Sequence, residues 1–225
     1  MRAEIVACAL CPRLRSYCQR IGVEKKAAHR DDVYWAKPVP GFGDPDARLL
    51  LVGLAPAAHG ANRTGRVFTG DGSGDFLMRA LQRNGFANIA TSRRTDDGLS
   101  LRDAYILSVV RCAPPDNKPT PDEIARCRPH LTAELAALPR LRVVVALGKI
   151  GFDGYLAHLA TVAPQARLRP RPAFGHGCQV ALPVGPPTLL GAYHPSRQNT
   201  NTGKLTPAML ESVFRRARSI IDSGS

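Results

Sequence analysis

Four short apolar runs set the rhythm of the chain. Residues 47–52 (with Leu49, Leu50, Leu51 and Val52), 104–110 (AYILSVV), 141–147 (LRVVVAL) and 187–193 are rich in Leu, Val and Ile and too short for buried helices. They read as strands covered on both faces. Between them the period lengthens. Residues 74–84 line up Phe76, Leu77, Ala80 and Leu81 on one side of a helix. Residues 206–221 form a final amphipathic helix, with Arg215, Arg216 and Arg218 assigned to its outer face. Thr120-Pro121-Asp122-Glu123 is a helix start, with Thr as N-cap and Glu three residues on completing a capping box. That helix is expected to reach about Leu138, and another spans residues 149 to about 159. Residues 2–20 read as a helix or helical turns interrupted at Pro12, residues 21–46 as an extended wrap, and residues 179–183 as a short edge strand. Alternating strands and helices predict an α/β fold with a mostly parallel sheet covered on both sides. Nothing repeats and no second domain is indicated, so one domain is expected over residues 1–225.

Two stretches between these elements have almost nothing to pack a core. Residues 53–71, GLAPAAHGANRTGRVFTGD, follow the first strand, and residues 194–206, HPSRQNTNTGKLT, follow the last. Loops of that length in a compact domain are usually functional, and the carboxyl ends of parallel strands are where open α/β sheets bind ligands. Emerging on one side of the sheet, the two loops bring His194 toward Asp71 and His59. An imidazole can donate to negative charge building on a leaving group or act as acid or base. A carboxylate can orient water or stabilise a sugar cation. The plainer alternatives are that His194 closes a strand end and Asp71 caps the next helix.

Charge adds a partner. Lys and Arg number 31 against 18 acidic residues, a net charge of +13 over 225 residues, and 25 of the 31 are Arg. A field of that sign draws polyanions, and Arg forks suit phosphate, which points to nucleic acid. No segment approaches the ~20 apolar residues needed to cross a bilayer, and Glu4 breaks the apolar N-terminus too early for a signal peptide. A cytoplasmic protein, associated with the nucleoid, is expected, with no membrane partner. Six cysteines in that compartment argue against structural disulfides. Cys8-x-x-Cys11 makes one pair, and Cys112 with Cys127 another that brackets a proline-rich turn. Four thiolates ligate either zinc or an iron–sulfur cluster. Cys18 and Cys178 have no partner spacing and read as small buried hydrophobes.

The two loop motifs and the Cys8/Cys11/Cys112/Cys127 set, with CAPPDNKPTP beginning at Cys112, together resemble the uracil-DNA glycosylase superfamily, and more narrowly its iron–sulfur type-B branch, family five. The resemblance runs from Cys8 to the last helix. It implies a three-layer α/β/α fold with a central four-stranded, mostly parallel sheet, and a structural 4Fe–4S cluster on the four cysteines. It also implies a monomer that flips a damaged base out of double-stranded DNA and cuts its N-glycosidic bond. Where the superfamily's first motif carries an acidic or amide residue, this chain has Leu54. The branch's proposed substitute, the Asp of Phe-Thr-Gly-Asp, maps to Asp71. Phe68 matches the aromatic on which the flipped base stacks, with Gly53, Ala57 and His59 around it, and His194 matches the His that bonds the base carbonyl. Ser196, Arg197, Gln198 and Asn199 match the loop that enters the duplex, and Lys118 is a further expected DNA contact.

Related branches read uracil with an Asn where this chain has Ser108. A hydroxyl cannot make the same paired contact, so a broad pocket that takes hypoxanthine as well as uracil is expected. Lys204 is the only Lys in either loop and comes late, so hydrolysis without strand cleavage is expected. The alternative from another class is a non-catalytic nucleic-acid-binding module on the same scaffold, for which the apolar Leu54 is the foothold. A zinc-binding hydrolase is a third reading.

Overall fold

A computed structural model describes residues 1–183 and 185–223. The N-terminal segment forms α1 (Arg2–Ala7) and α2 (Pro12–Glu24), broken at Cys8–Cys11 where Pro12 can only open a new helix. Then follow β1 (Phe42–Gly43), β2 (Leu49–Gly53), α3 (Ala61–Thr64), α4 (Gly72–Arg83), β3 (Ala104–Ser108), α5 (Pro121–Ala136) and β4 (Val143–Leu147). The chain ends with α6 (Lys149–Val162), β5 (Gln179–Val180), β6 (Thr188–Ala192), α7 (Arg197–Asn201) and α8 (Pro207–Ser223).

The sheet runs β1-β3-β2-β4-β6-β5. Its four inner strands are mutually parallel, and these are the four apolar runs of the sequence. The expected four-stranded sheet is therefore corrected to six. Each added edge is a two-residue antiparallel strand, β1 on β3 and β5 on β6. β1 lies inside residues 21–46, read as an extended wrap; two residues show no period of their own, and only the pairing with Tyr105 and Ile106 makes them a strand.

Alternation along the inner strands divides the core in two. Leu49, Leu51, Ile106, Val143, Val145 and Leu190 face the side packed by α4 and α8. Leu50, Val52, Leu107, Val144, Ala146 and Leu189 face the side packed by α5 and α6. All of these are 2% exposed or less. The capping box forms as expected, Thr120 Oγ1 accepting from Glu123 N–H and Glu123 Oε2 from Thr120 N–H. One side chain turns the other way. Arg218 leaves the outer face of α8, stacks over Phe86 with 3.8 Å to the ring centre, and donates to Asp103 Oδ2 at 3.1 Å. With all four inner strands parallel, Gly53, Ser108, Leu147 and Ala192 end on one edge, and both polar loops leave from it.

Candidate active site

The long loop after β2 is held from inside. Arg63 donates to Asp32 Oδ2 at 2.7 Å, to the His59 carbonyl at 2.9 Å and to the Gly70 carbonyl at 2.8 Å, tying the loop's two ends together. Arg66, 6% exposed, reaches Thr69 Oγ1, the Arg94 carbonyl and both Asp97 oxygens, which fastens residues 92–97 beneath the turn. These bonds bring the chain to Phe68 in the left-handed region, at φ 48°. A bulky residue there is strained, and such strain concentrates at functional sites. The ring lies over Gly53, where a Cβ would approach ring carbon Cε2 to 3.1 Å.

Asp71 follows at the mouth of α4 and does what the plainer reading expected: Oδ1 accepts from the N–H groups of Ser73 and Gly74, both at 3.0 Å. Capping occupies one oxygen only. Oδ2 sits against Gly60, where a Cβ would overlap it. Burial raises the carboxyl's pKa above its usual value, opposed by the two amide bonds and the charge of Arg197.

His194 stands at the end of β6. Its carbonyl accepts from Asn199 Nδ2 at 2.8 Å, and Ser196 Oγ accepts from Asn199 N–H at 3.3 Å as N-cap of α7. The stretch read as an open loop thus contains a short helical turn that fixes the imidazole's backbone. The His194 and Phe68 rings lie 5.6 Å apart at 31°. Protein surrounds the imidazole except toward the pocket, and this desolvation lowers its pKa to about 4. It is neutral at physiological pH.

Between these groups is a cavity of about 450 Å³. Of the expected residues, Ala57, Phe68, Asp71, Ser108, His194, Ser196, Arg197 and Gln198 line it, with the apolar Leu54. Four others lie off the lining. Gly53 supports Phe68 from below, and His59 Nδ1 pairs with Tyr34 OH at 2.9 Å on the outside of the loop. Lys118 is exposed, and its carbonyl accepts from Arg13 Nη2 at 3.2 Å. Asn199 acts behind the wall through the His194 carbonyl. The sequence reading missed Asp116 and Asn117, which also line the cavity. Both have positive φ, 53° and 56°. The available signal was an Asp-Asn pair flanked by prolines, residue types that tolerate left-handed turns.

A second, small cavity is lined by Cys8, Cys11, Cys112 and Cys127 together with Arg15, Arg111, Arg126 and His130. The two sequence-distant cysteine pairs therefore share one chamber. Burial raises the Cys127 thiol to about 12, and it raises Cys11 as well. Among the described residues, several buried nitrogens of the lining side chains have no hydrogen-bond partner: Arg15 Nη1, Arg111 Nε and Nη1, and His130 Nε2. Among the described residues no three His, Cys, Asp or Glu side chains close on a single metal ion. Cys18, fully buried, donates toward the Ala113 carbonyl at 3.6 Å next to Cys112.

Known proteins match this chain along most of its length. The sequence model of the uracil DNA glycosylase superfamily matches residues 40–218. The type-5 uracil-DNA glycosylase of Mycobacterium tuberculosis is 48% identical over 221 residues, 98% of this chain and 80% of that protein. That of Thermus thermophilus is 49% identical over 214 residues, covering 95% and 94%. That of Pyrobaculum aerophilum is 46% identical over 215 residues, covering 95% and 89%. The chain belongs to the uracil DNA glycosylase superfamily, within its type-5 branch.

Proposed function

We propose that this protein is a hydrolytic DNA glycosylase that excises uracil and other deaminated bases, hypoxanthine among them, from double-stranded DNA and leaves an abasic site. The observation that carries the reading is that Asp71 and His194 line one base-sized cavity at the carboxyl edge of the sheet, with Phe68 beside His194. A flipped base stacks on Phe68. As the bond from the sugar C1′ to the base nitrogen breaks, its electron pair leaves with the base and positive charge builds on the sugar. A neutral His194 N–H donates to the carbonyl oxygen where the negative charge collects. Asp71, ionised, balances the sugar cation or takes the proton of the water that adds to C1′. Arg197 and Gln198 are exposed on the cavity lining, and in this reading they fill the space the nucleotide vacates.

Breadth follows from positions 54 and 108. Ser108, 2% exposed, offers one hydroxyl, and Leu54 offers no polar atom. Neither can impose the paired contact that rejects other bases. Duplexes carrying uracil, hypoxanthine or thymine, incubated with excess enzyme and cleaved at abasic sites with alkali, test this. Uracil and hypoxanthine should both be excised; uracil cut with hypoxanthine untouched would refute the broad pocket.

Gly60 tests the carboxylate's position. A methyl group there overlaps Asp71 Oδ2, while the Gly60 backbone is held by Ala57 and Arg63. Gly60→Ala should slow excision about a hundred-fold by displacing the carboxylate, and the Gly60 backbone at φ −105°, ψ −101° also lowers the melting temperature of the variant. An unaltered single-turnover rate would mean the carboxylate's position is not critical.

We also propose that Cys8, Cys11, Cys112 and Cys127 hold a 4Fe–4S cluster. The chemistry of the chamber supports this: thiols converge with cationic donors that have no acceptor, as an anionic, sulfur-rich occupant requires. Ligands of one zinc ion crowd about 2.3 Å from the metal, whereas thiolates around a four-iron cube stand farther apart. Bound, the cluster pins the N-terminal helices to β3 and α5. Purified protein should be brown, absorb at about 400 nm and contain iron; a colourless, zinc-containing preparation would overturn it.

A further inference from the structure

We infer that Arg111 is the fixed counter-charge of the cysteine chamber, a positioning residue that sets how firmly a cluster is held and at what potential it is reduced; the inference rests on the cluster reading above. Arg111 is 1% exposed, among the largest fully buried side chains. A guanidinium keeps its proton even there, so a buried positive charge must be answered. Glu134, 2% exposed, answers the charge through an ion pair with Nη2. It does not answer the donors, since Nε and Nη1 have no acceptor among the described residues.

Glu134 is itself immobilised. Its Oε1 accepts from Gly41 N–H at 2.8 Å and from Tyr105 OH at 3.1 Å. The Arg111 main chain is fastened too: its carbonyl accepts from Val39 N–H at 2.8 Å, and its own N–H donates to Cys127 Sγ at 3.3 Å. The side chain therefore cannot swing to solvent, and it lines the chamber of the four cysteines. A cluster on four thiolates carries net negative charge and offers sulfur acceptors, which is what this guanidinium lacks. Arg15 and His130 also have unpaired nitrogens among the described residues, but both are less buried, and Arg15 is anchored through Nη2 to the Ala36 carbonyl. A fixed positive charge beside a redox centre favours its more negative, reduced state. Its loss should lower the potential and loosen the thiolates.

The test uses full-length protein purified without oxygen: wild type, R111K, and R111M/E134Q, which removes the charge together with its partner so that no buried carboxylate is left unpaired. Iron content, midpoint potential and the rate of bleaching at about 400 nm by a chelator are measured. The double variant should bleach about 10- to 100-fold faster than wild type and titrate at a more negative potential, with R111K between them. Wild-type potential and bleaching rate in a double variant with its full iron content would overturn the role of Arg111 and leave the cluster reading intact. Iron-free wild type would overturn both. If the double variant does not fold, R111K decides alone through the bleaching rate: chelation no faster than wild type counts against the inference, because an ammonium keeps the charge but cannot supply the same fork of donors.

Discussion

Asp71→Asn is expected to fold normally and to excise uracil about a hundred- to a thousand-fold more slowly than wild type. The substitution separates the residue's two jobs. As N-cap of α4, Asp71 accepts from the Ser73 and Gly74 amides through Oδ1, and an Asn carbonyl serves as well. As a buried carboxylate on the cavity it is not replaced by a neutral amide, and Asp116, the other carboxylate on the lining, is exposed. Burial raises its folded pKa above 3.8, so the sign of its linkage to stability is set. The fold's preference for the protonated carboxyl is complete below pH 3.8 and gone once the pH has risen through the folded pKa. At pH 7 the ionised group therefore works against folding. Asp71→Asn should melt at or above the wild-type temperature at neutral pH, and the gap should close as the pH falls toward 3.8. Asp71→Ala, which also loses the cap, should be less stable than Asn by about 0.5–2 kcal/mol. Single-turnover rates and thermal melts of the three proteins decide the matter. Wild-type excision by the Asn variant would show that the charge is not used.

The same residue shows what could be read from the sequence. A strand of four apolar residues followed by a long small-residue loop places a ligand site by topology alone, and the same topology puts Asp71 and His194 on one edge. Phe68, Ser108 and the rim residues Arg197 and Gln198 came with the motifs. What did not come were placements set by distant partners. His59 sits in the loop's sequence but turns outward because Tyr34, from the unpatterned wrap, supplies its hydrogen bond. Asn117 reaches the cavity only through two successive left-handed residues, a conformation composition can permit but not demand. The edge strand Phe42–Gly43 exists by virtue of its neighbour. Arg218 looked like surface charge, and Asp103 with the Phe86 ring drew it in. Arg111 and Glu134 gave no sign of forming a buried pair, since residues 23 apart on a strand end and a helix share no local period.

His194→Ala is expected to lower the excision rate by about a hundred- to a thousand-fold, and the pH behaviour separates its two possible forms of action. An ordinary histidine changes charge near pH 6.5, but desolvation holds this one at about 4. Across pH 5–8 it stays neutral, and a hydrogen bond donated by a neutral ring does not vary there. The wild-type rate should therefore show no limb with a midpoint between pH 6 and 7; such a limb, absent from His194→Ala, would mean an imidazolium is the working form. Stability reports the same shift with the opposite experimental handle. A folded pKa below the unfolded value means the fold favours the neutral ring, so its contribution is full above pH 6.5 and is lost as the pH falls through about 4. At about 1.4 kcal/mol per pH unit, the loss over that window is on the order of 3 kcal/mol. His194→Gln keeps a side-chain donor and has no proton to gain, so its urea stability should fall less steeply than wild type between pH 6.5 and 4. Parallel slopes for the two proteins would place the imidazole in contact with water, and the neutral donor proposed for the leaving base would fall with it.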